Sequence, residues 1–226
     1  MLKKLLVCAG VFVWCATAQA HFIFLQFENG KVSMRLAEGP ADASGKDLQE
    51  KIAPVQVKTA KGDVLTMVSG QEALWADAGP DVNVVTASFE YGVLDRSAQG
   101  RGVFMLLYHA KAAKTAAEAA TKAGLPVEVV AEVKDGTLHI EVLNDGKPAP
   151  AAELTIAQEG YAEVIEEDTD AQGKATVPVS SEGWIAIRAM VPQEKSGESN
   201  GTGFTAVRHY STLVFPSPAV KAEAAK

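Results

Sequence analysis

Short runs of alternating apolar and polar residues, separated by tight-turn pairs, make up most of this chain. His21 to Phe27 alternates weakly and is rich in Phe and Ile. Asn29-Gly30 then marks a two-residue turn, and Lys31 to Leu36 resumes the alternation. Val55 to Thr59 and Val64 to Val68 flank Lys61-Gly62-Asp63 as a second hairpin. Val82 to Tyr91 follows Gly79-Pro80, and Gly102 to His109 is a dense apolar strand. From Val127 onward the pattern repeats. Val127 to Val133 turns at Asp135-Gly136 into Leu138 to Leu143, which turns again at Asn144-Asp145-Gly146. Glu153 to Gln158, Ala162 to Glu166, Ala175 to Val179, Trp184 to Val191 and Thr205 to Phe215 continue it. Glu38 to Ser44 and Ser196 to Gly203 read as loops.

One segment breaks the period. Lys111 to Ala123 is rich in Ala and Lys, with Thr115 and Glu118 spaced as a capping box, Gly124 as a stop and Pro126 beyond it. This predicts a short helix, and its lack of a large apolar stripe makes it a linker. The expected fold is therefore all-β. Two Ig-like β-sandwich units, residues 21–110 and 127–216, are joined by an Ala-rich helical linker at 111–126. A signal peptide precedes them at 1–20 and a flexible tail follows at 217–226.

The first twenty residues have the layout of a cleaved secretory signal. Lys3 and Lys4 form a basic start, Leu5 to Val13 an apolar core, and Ala18-Gln19-Ala20 a cleavage site. Both cysteines, Cys8 and Cys15, fall inside this leader, so the processed chain has no thiol for a disulfide, a Cys-based zinc site or a nucleophile. No later apolar run is long enough to span a bilayer. The expectation is a soluble periplasmic or secreted protein with no direct membrane insertion. The full chain carries a net charge of −7, which argues against a nucleic-acid partner.

Cleavage after Ala20 makes His21 the first residue. Its α-amine, with a pKa near ~8, and its imidazole, near ~6.5, then close a six-membered chelate ring on a metal through Nδ1. A third nitrogen would complete a T-shaped site suited to Cu(II) or Ni(II). His209 is the first candidate partner. Positions 207, 209, 211, 213 and 215 share one strand face, so His209 joins Val207, Leu213 and Phe215, with Tyr210 opposite. A hydrogen-bonded core histidine is the competing explanation. His109, at the end of its apolar strand, is a weaker addition. His139, flanked by the inward Leu138 and Ile140, reads as solvated. Asp168-x-Asp170-x-Gln172-Gly173 imitates the start of an EF-hand, but Val179 stands where a bidentate Glu is needed, so it reads as a turn. There is no phosphate loop, H-E-x-x-H motif or Ser/His/Asp order, so the protein is expected not to be an enzyme.

Several segments together carry a family resemblance. They are Ala20-His21-Phe22, Leu36-Ala37-Glu38-Gly39-Pro40, Tyr91-Gly92-Val93 and Leu106-Leu107-Tyr108-His109-Ala110-Lys111. Asp145-Gly146-Lys147-Pro148, Thr169-Asp170-Ala171-Gln172-Gly173 and Val207-Arg208-His209-Tyr210-Ser211-Thr212-Leu213 complete the set. The chain resembles the DUF4198 family of secreted bacterial proteins. The resemblance implies a periplasmic component of nickel or cobalt uptake, with a metal ion as cargo and a membrane transporter component as partner. Copper is added by affinity order rather than by resemblance. The expected function is transition-metal binding through His21, His209 and His109. The alternatives are a metal-free Ig-like surface module and a histidine-brace copper oxygenase acting on polysaccharide.

Overall fold

The computed structural model describes residues 21–179 and 182–218. The leader expected over 1–20 and most of the tail expected over 217–226 lie outside the described residues. The first half runs β1 (Phe22–Glu28), β2 (Lys31–Ala37), helix α1 (Lys46–Ile52), β3 (Val57–Thr59), β4 (Val64–Leu65) and β5 (Val68–Ser69). It continues with β6 (Leu74–Asp77), β7 (Val84–Asp95) and β8 (Val103–Ala113). The second half holds β9 (Val127–Lys134), β10 (Thr137–Asn144), β11 (Lys147–Pro148), β12 (Glu153–Gln158), β13 (Ile165–Asp168) and β14 (Lys174–Pro178). After these come β15 (Gly183–Gln193), β16 (Gly197–Ser199), β17 (Thr202–Phe204) and β18 (Ala206–Ser217).

The protein is all-β, with sandwich packing in three layers. The middle layer is an eight-stranded sheet in the order β13-β12-β15-β18-β8-β7-β3-β4. Strand alternation gives this sheet two apolar faces. On one face Val85, Ala87, Leu106, Tyr108, Ala110, Ala186 and Val214 pack against β1, β2 and α1. On the other, Val84, Ala113, Ile185, Ile187, Leu213 and Phe215 pack against residues of β9, β10 and β14. The outer layers are the sheets β1-β2-β6-β5 and β11-β10-β14, the latter with β9 also paired to β10.

Each half of the chain supplies one outer layer and half of the middle one. Residues 21–110 and 127–216, expected as separate sandwiches, meet inside a single sheet where β18 lies parallel to β8. Both cores draw side chains from both halves.

The helix expected over 111–123 does not form. Lys111, Ala112 and Ala113 extend β8, and only Ala117–Ala120 makes a short 3₁₀ turn. The physical reason is Lys111, whose side chain is 1% exposed. Its ammonium donates to Glu128 at 2.8 Å and to the Thr121 carbonyl at 2.9 Å. Glu128 in turn accepts the backbone N–H groups of Ala123 and Gly124 at 2.7 and 2.9 Å. These bonds tie the connector down onto the sheet in an irregular path, and the small Ala112 and Ala113 fit a strand buried on both faces. Residues 196–203, expected as a loop, form the β16–β17 hairpin about Asn200-Gly201, whose positive φ angles of 49° and 77° match the Asn29-Gly30 turn. Helix α1 was not expected.

Outer strand β1 enters at His21 with one edge facing the middle sheet. Tyr108 donates its hydroxyl to the His21 carbonyl and Thr212 donates to the Ile23 carbonyl, both at 2.7 Å. Side-chain hydroxyls thus satisfy backbone acceptors that lack a neighbouring strand.

Removing Lys111 leaves the Glu128 carboxylate buried without its counter-charge. Lys111→Met is expected to cost about 3–5 kcal/mol, the range for breaking one side of a buried ion pair. Lys31→Met, which loses only a surface pair to Asp77, is expected to cost under about 1 kcal/mol. Urea denaturation of both variants tests this; equal losses would show that the buried pair carries no special weight.

Candidate metal centre

Pairing register decides which histidines meet. In the antiparallel β7–β8 pair, Ser88 stands opposite His109. In the parallel β8–β18 pair, Ser211 stands opposite His109 and His209 opposite Leu107. Odd-numbered residues of β8 and β18 point to the same face as Ala113, Leu213 and Phe215. His109 and His209 therefore lie side by side on that face.

Their rings are nearly parallel, with planes 19° apart and centroids 5.3 Å apart. His109 Nε2 lies 3.1 Å from His209 Nδ1, and His109 Nδ1 lies 3.2 Å from Ser88 Oγ. The chain Ser88–His109–His209 thus runs across three adjacent strands. Both imidazoles are buried, His109 at 4% exposure and His209 at 8%, while Ser88 is exposed. Beside them Ser211 is fully buried, and its hydroxyl has no hydrogen-bond partner among the described residues.

Burial controls the protonation of the pair. It pushes the His109 pKa down to about 4, and the neighbouring His209 adds to the shift. Burial also lowers the pKa of His209, helped by Lys195 and opposed by the Asp145 carboxylate. Both rings are therefore neutral at neutral pH, the state in which imidazole is a ligand. Two nitrogens 3.1 Å apart can each lie about 2.0–2.1 Å from a common ion. The donor set and the orphaned Ser211 hydroxyl fit a metal ion at this point, with two nitrogens from protein side chains. Among the described residues no group of three or more His, Cys, Asp or Glu side chains converges to hold one.

His21 belongs to the other side of the sheet. Its carbonyl accepts from Tyr108, and the Phe22 ring packs 6.2 Å from that of Tyr108 and 4.9 Å from that of Tyr210. At this level the middle sheet is unbroken, running from Met190 through Tyr210 and Tyr108 to Phe89. The expected three-nitrogen site of His21 with His209 and His109 is therefore corrected: His109 meets His209, and a β-sheet separates both from the backbone of His21. A histidine brace, which needs a second imidazole on the His21 side, lacks one there. His139 is exposed on β10, opposite Glu132 and Thr176. The segment that imitates an EF-hand is a turn in which Asp170 accepts the backbone N–H groups of Gln172 and Lys174.

Alternation along the last strand places Ser211 on the face of His209, but nothing local marks it, or Ser88, as a site residue. Ser88 enters only through the register of β7 on β8, which no local pattern encodes.

A family model described as a domain of unknown function (DUF4198) matches residues 105–193. No curated protein matches the chain. The matched stretch takes in most of β8 with His109 and all of β9 to β15; His21 and His209 lie outside it. The match covers less than half of the chain, and its family is the one that the sequence motifs resemble.

Proposed function

We propose that this protein binds a transition-metal ion, nickel, cobalt or copper, between His109 and His209, and handles it as cargo outside the cytoplasm. The observation that carries this reading is the 3.1 Å approach of two buried imidazole nitrogens from strands 100 residues apart. The family resemblance supports nickel or cobalt, and the sulfur-free nitrogen pair suits copper(II) equally. The leader-like first twenty residues support export. No helix among the described residues is long and apolar enough to cross a membrane. The role given to His21 in the sequence reading passes to His109. A transporter component as receiving partner follows from the resemblance alone.

A metal-free interaction module is the second reading. It is favoured by the absence of a third convergent His, Cys, Asp or Glu donor among the described residues. Titration calorimetry with Ni(II), Co(II) and Cu(II) separates the two. One ion per chain is expected, lost in His109→Ala and in His209→Ala and kept in His21→Ala. Binding that survives both of the first two substitutions, or heat from none of the three ions, would leave the metal-free module standing.

Keeping the rings neutral has a cost at acid pH. The unfolded chain takes up a proton at His109 near pH 6.5, whereas the folded protein resists until pH is about 4. Between these values the unfolded state binds more protons, so stability rises with pH there. Metal-free protein should hold its stability above pH 6.5 and lose about 3 kcal/mol from this group as pH falls toward 4. The check is urea denaturation across that window with His109→Gln, whose pH dependence should be shallower; identical slopes would contradict the assigned cause.

A further inference from the structure

The exposed end of the Ser88–His109–His209 chain opens on a cleft of about 610 Å³, whose walls include Pro54, Gln56, Lys58, Glu90 and Leu125. Ser88 lines this cleft and bonds to a ring that is itself buried. A neutral imidazole has one N–H and one lone pair, so what happens at Nδ1 decides what Nε2 can do. At His109, Nδ1 is directed at Ser88 and Nε2 at His209.

We infer that Ser88 is the positioning residue of the metal centre: its hydroxyl accepts the Nδ1–H of His109 and so holds the Nε2 lone pair toward the ion. This rests on the metal-binding reading above. The proton balance is closed. In the metal-free pair a single proton lies between His109 Nε2 and His209 Nδ1. If it sits on His209, ion binding moves it to His209 Nε2, and Ser88 already accepts from His109. If it sits on His109, binding moves it from Nε2 to Nδ1, and the Ser88 hydroxyl rotates from donor to acceptor, turning its own hydrogen to the cleft. Each ring keeps one proton in either case, and no proton is released. Serine suits the position because its hydroxyl serves in both senses. Its exposure also gives the displaced hydrogen a solvent partner, which a buried hydroxyl would lack.

Ser88→Ala removes the acceptor: without metal, His109 can keep its proton on Nε2, donated to His209, whereas a bound ion forces that proton onto Nδ1, where it has no partner. It should weaken Ni(II) binding about 10- to 100-fold, the usual effect of removing the group that orients a ligating histidine, with stoichiometry unchanged. Ser88→Thr keeps the hydroxyl and should bind close to the unaltered protein. A purely structural role would lower the melting temperature of Ser88→Ala without changing affinity, and that result would overturn the inference. Nitrogen-15 spectra of the Zn(II)-loaded protein should show His109 protonated at Nδ1; a bare or metal-bound Nδ1 would overturn it as well. Loss of binding in His109→Ala together with full binding in Ser88→Ala refutes the role of Ser88 and leaves the metal centre intact. Absence of binding to the unaltered chain refutes both.

Discussion

The parallel pairing of β8 with β18 is the constraint on which this molecule depends. Every other pairing of the middle sheet is antiparallel and joins strands of the same half. This one joins Phe104–Ala112 to Ala206–Val214 across about half the chain. It fuses what would be two half-covered sheets into one sheet with two buried faces. The two cores therefore share a wall: Val214 and Leu213, adjacent in sequence, serve opposite cores. A contact of such long range costs loop-closure entropy before it is rewarded, so its stability comes from the layers it unites.

The same pairing creates a buried polar block. His109 and Lys111 of β8, with His209 and Ser211 of β18, lie on one face and are all under 9% exposed. Apolar residues at these positions would be easier to bury. The block persists because three of its members are partnered. Lys111 has Glu128 and the Thr121 carbonyl; His109 has Ser88 and His209; His209 has His109. Ser211 alone is unsatisfied. An unmade hydrogen bond in a buried site costs more than its removal, and alanine at 211 would avoid that cost. On the proposed reading the Ser211 hydroxyl stands beside the ion.

Local chemistry made much of the fold legible. Asn29-Gly30, Asp135-Gly136 and Asn144-Asp145-Gly146 mark real hairpin turns because their backbone needs positive φ, and those residues tolerate it. Alternation along 207–215 correctly put His209 with Leu213 and Phe215. Where a residue's fate depends on distant partners, the sequence was silent or misleading. Ala112 and Ala113 have high helix propensity, yet the buried sheet overrides it, since small side chains suit a strand pressed on both faces. Asn200-Gly201 carried the same turn signal as Asn29-Gly30, but polar flanks hid the hairpin. His21 and His209 looked like partners because both stand out chemically. The thickness of a sheet between them is a property of topology, and no spacing along the chain records it.

The incompleteness of the centre is itself informative. A structural zinc site closes on four protein ligands and contributes folding energy; a catalytic one holds three and keeps one position open. Here two imidazoles converge, linked to each other and to Ser88. On the proposed reading they are the ion's only His, Cys, Asp or Glu ligands among the described residues. An ion held by two nitrogens keeps most of its coordination sphere for water or for donors from another molecule. That molecule could take over the sphere stepwise, without an intermediate in which the ion is bare. On the proposed reading, shortage of ligands is what suits this site to passing an ion onward rather than keeping it.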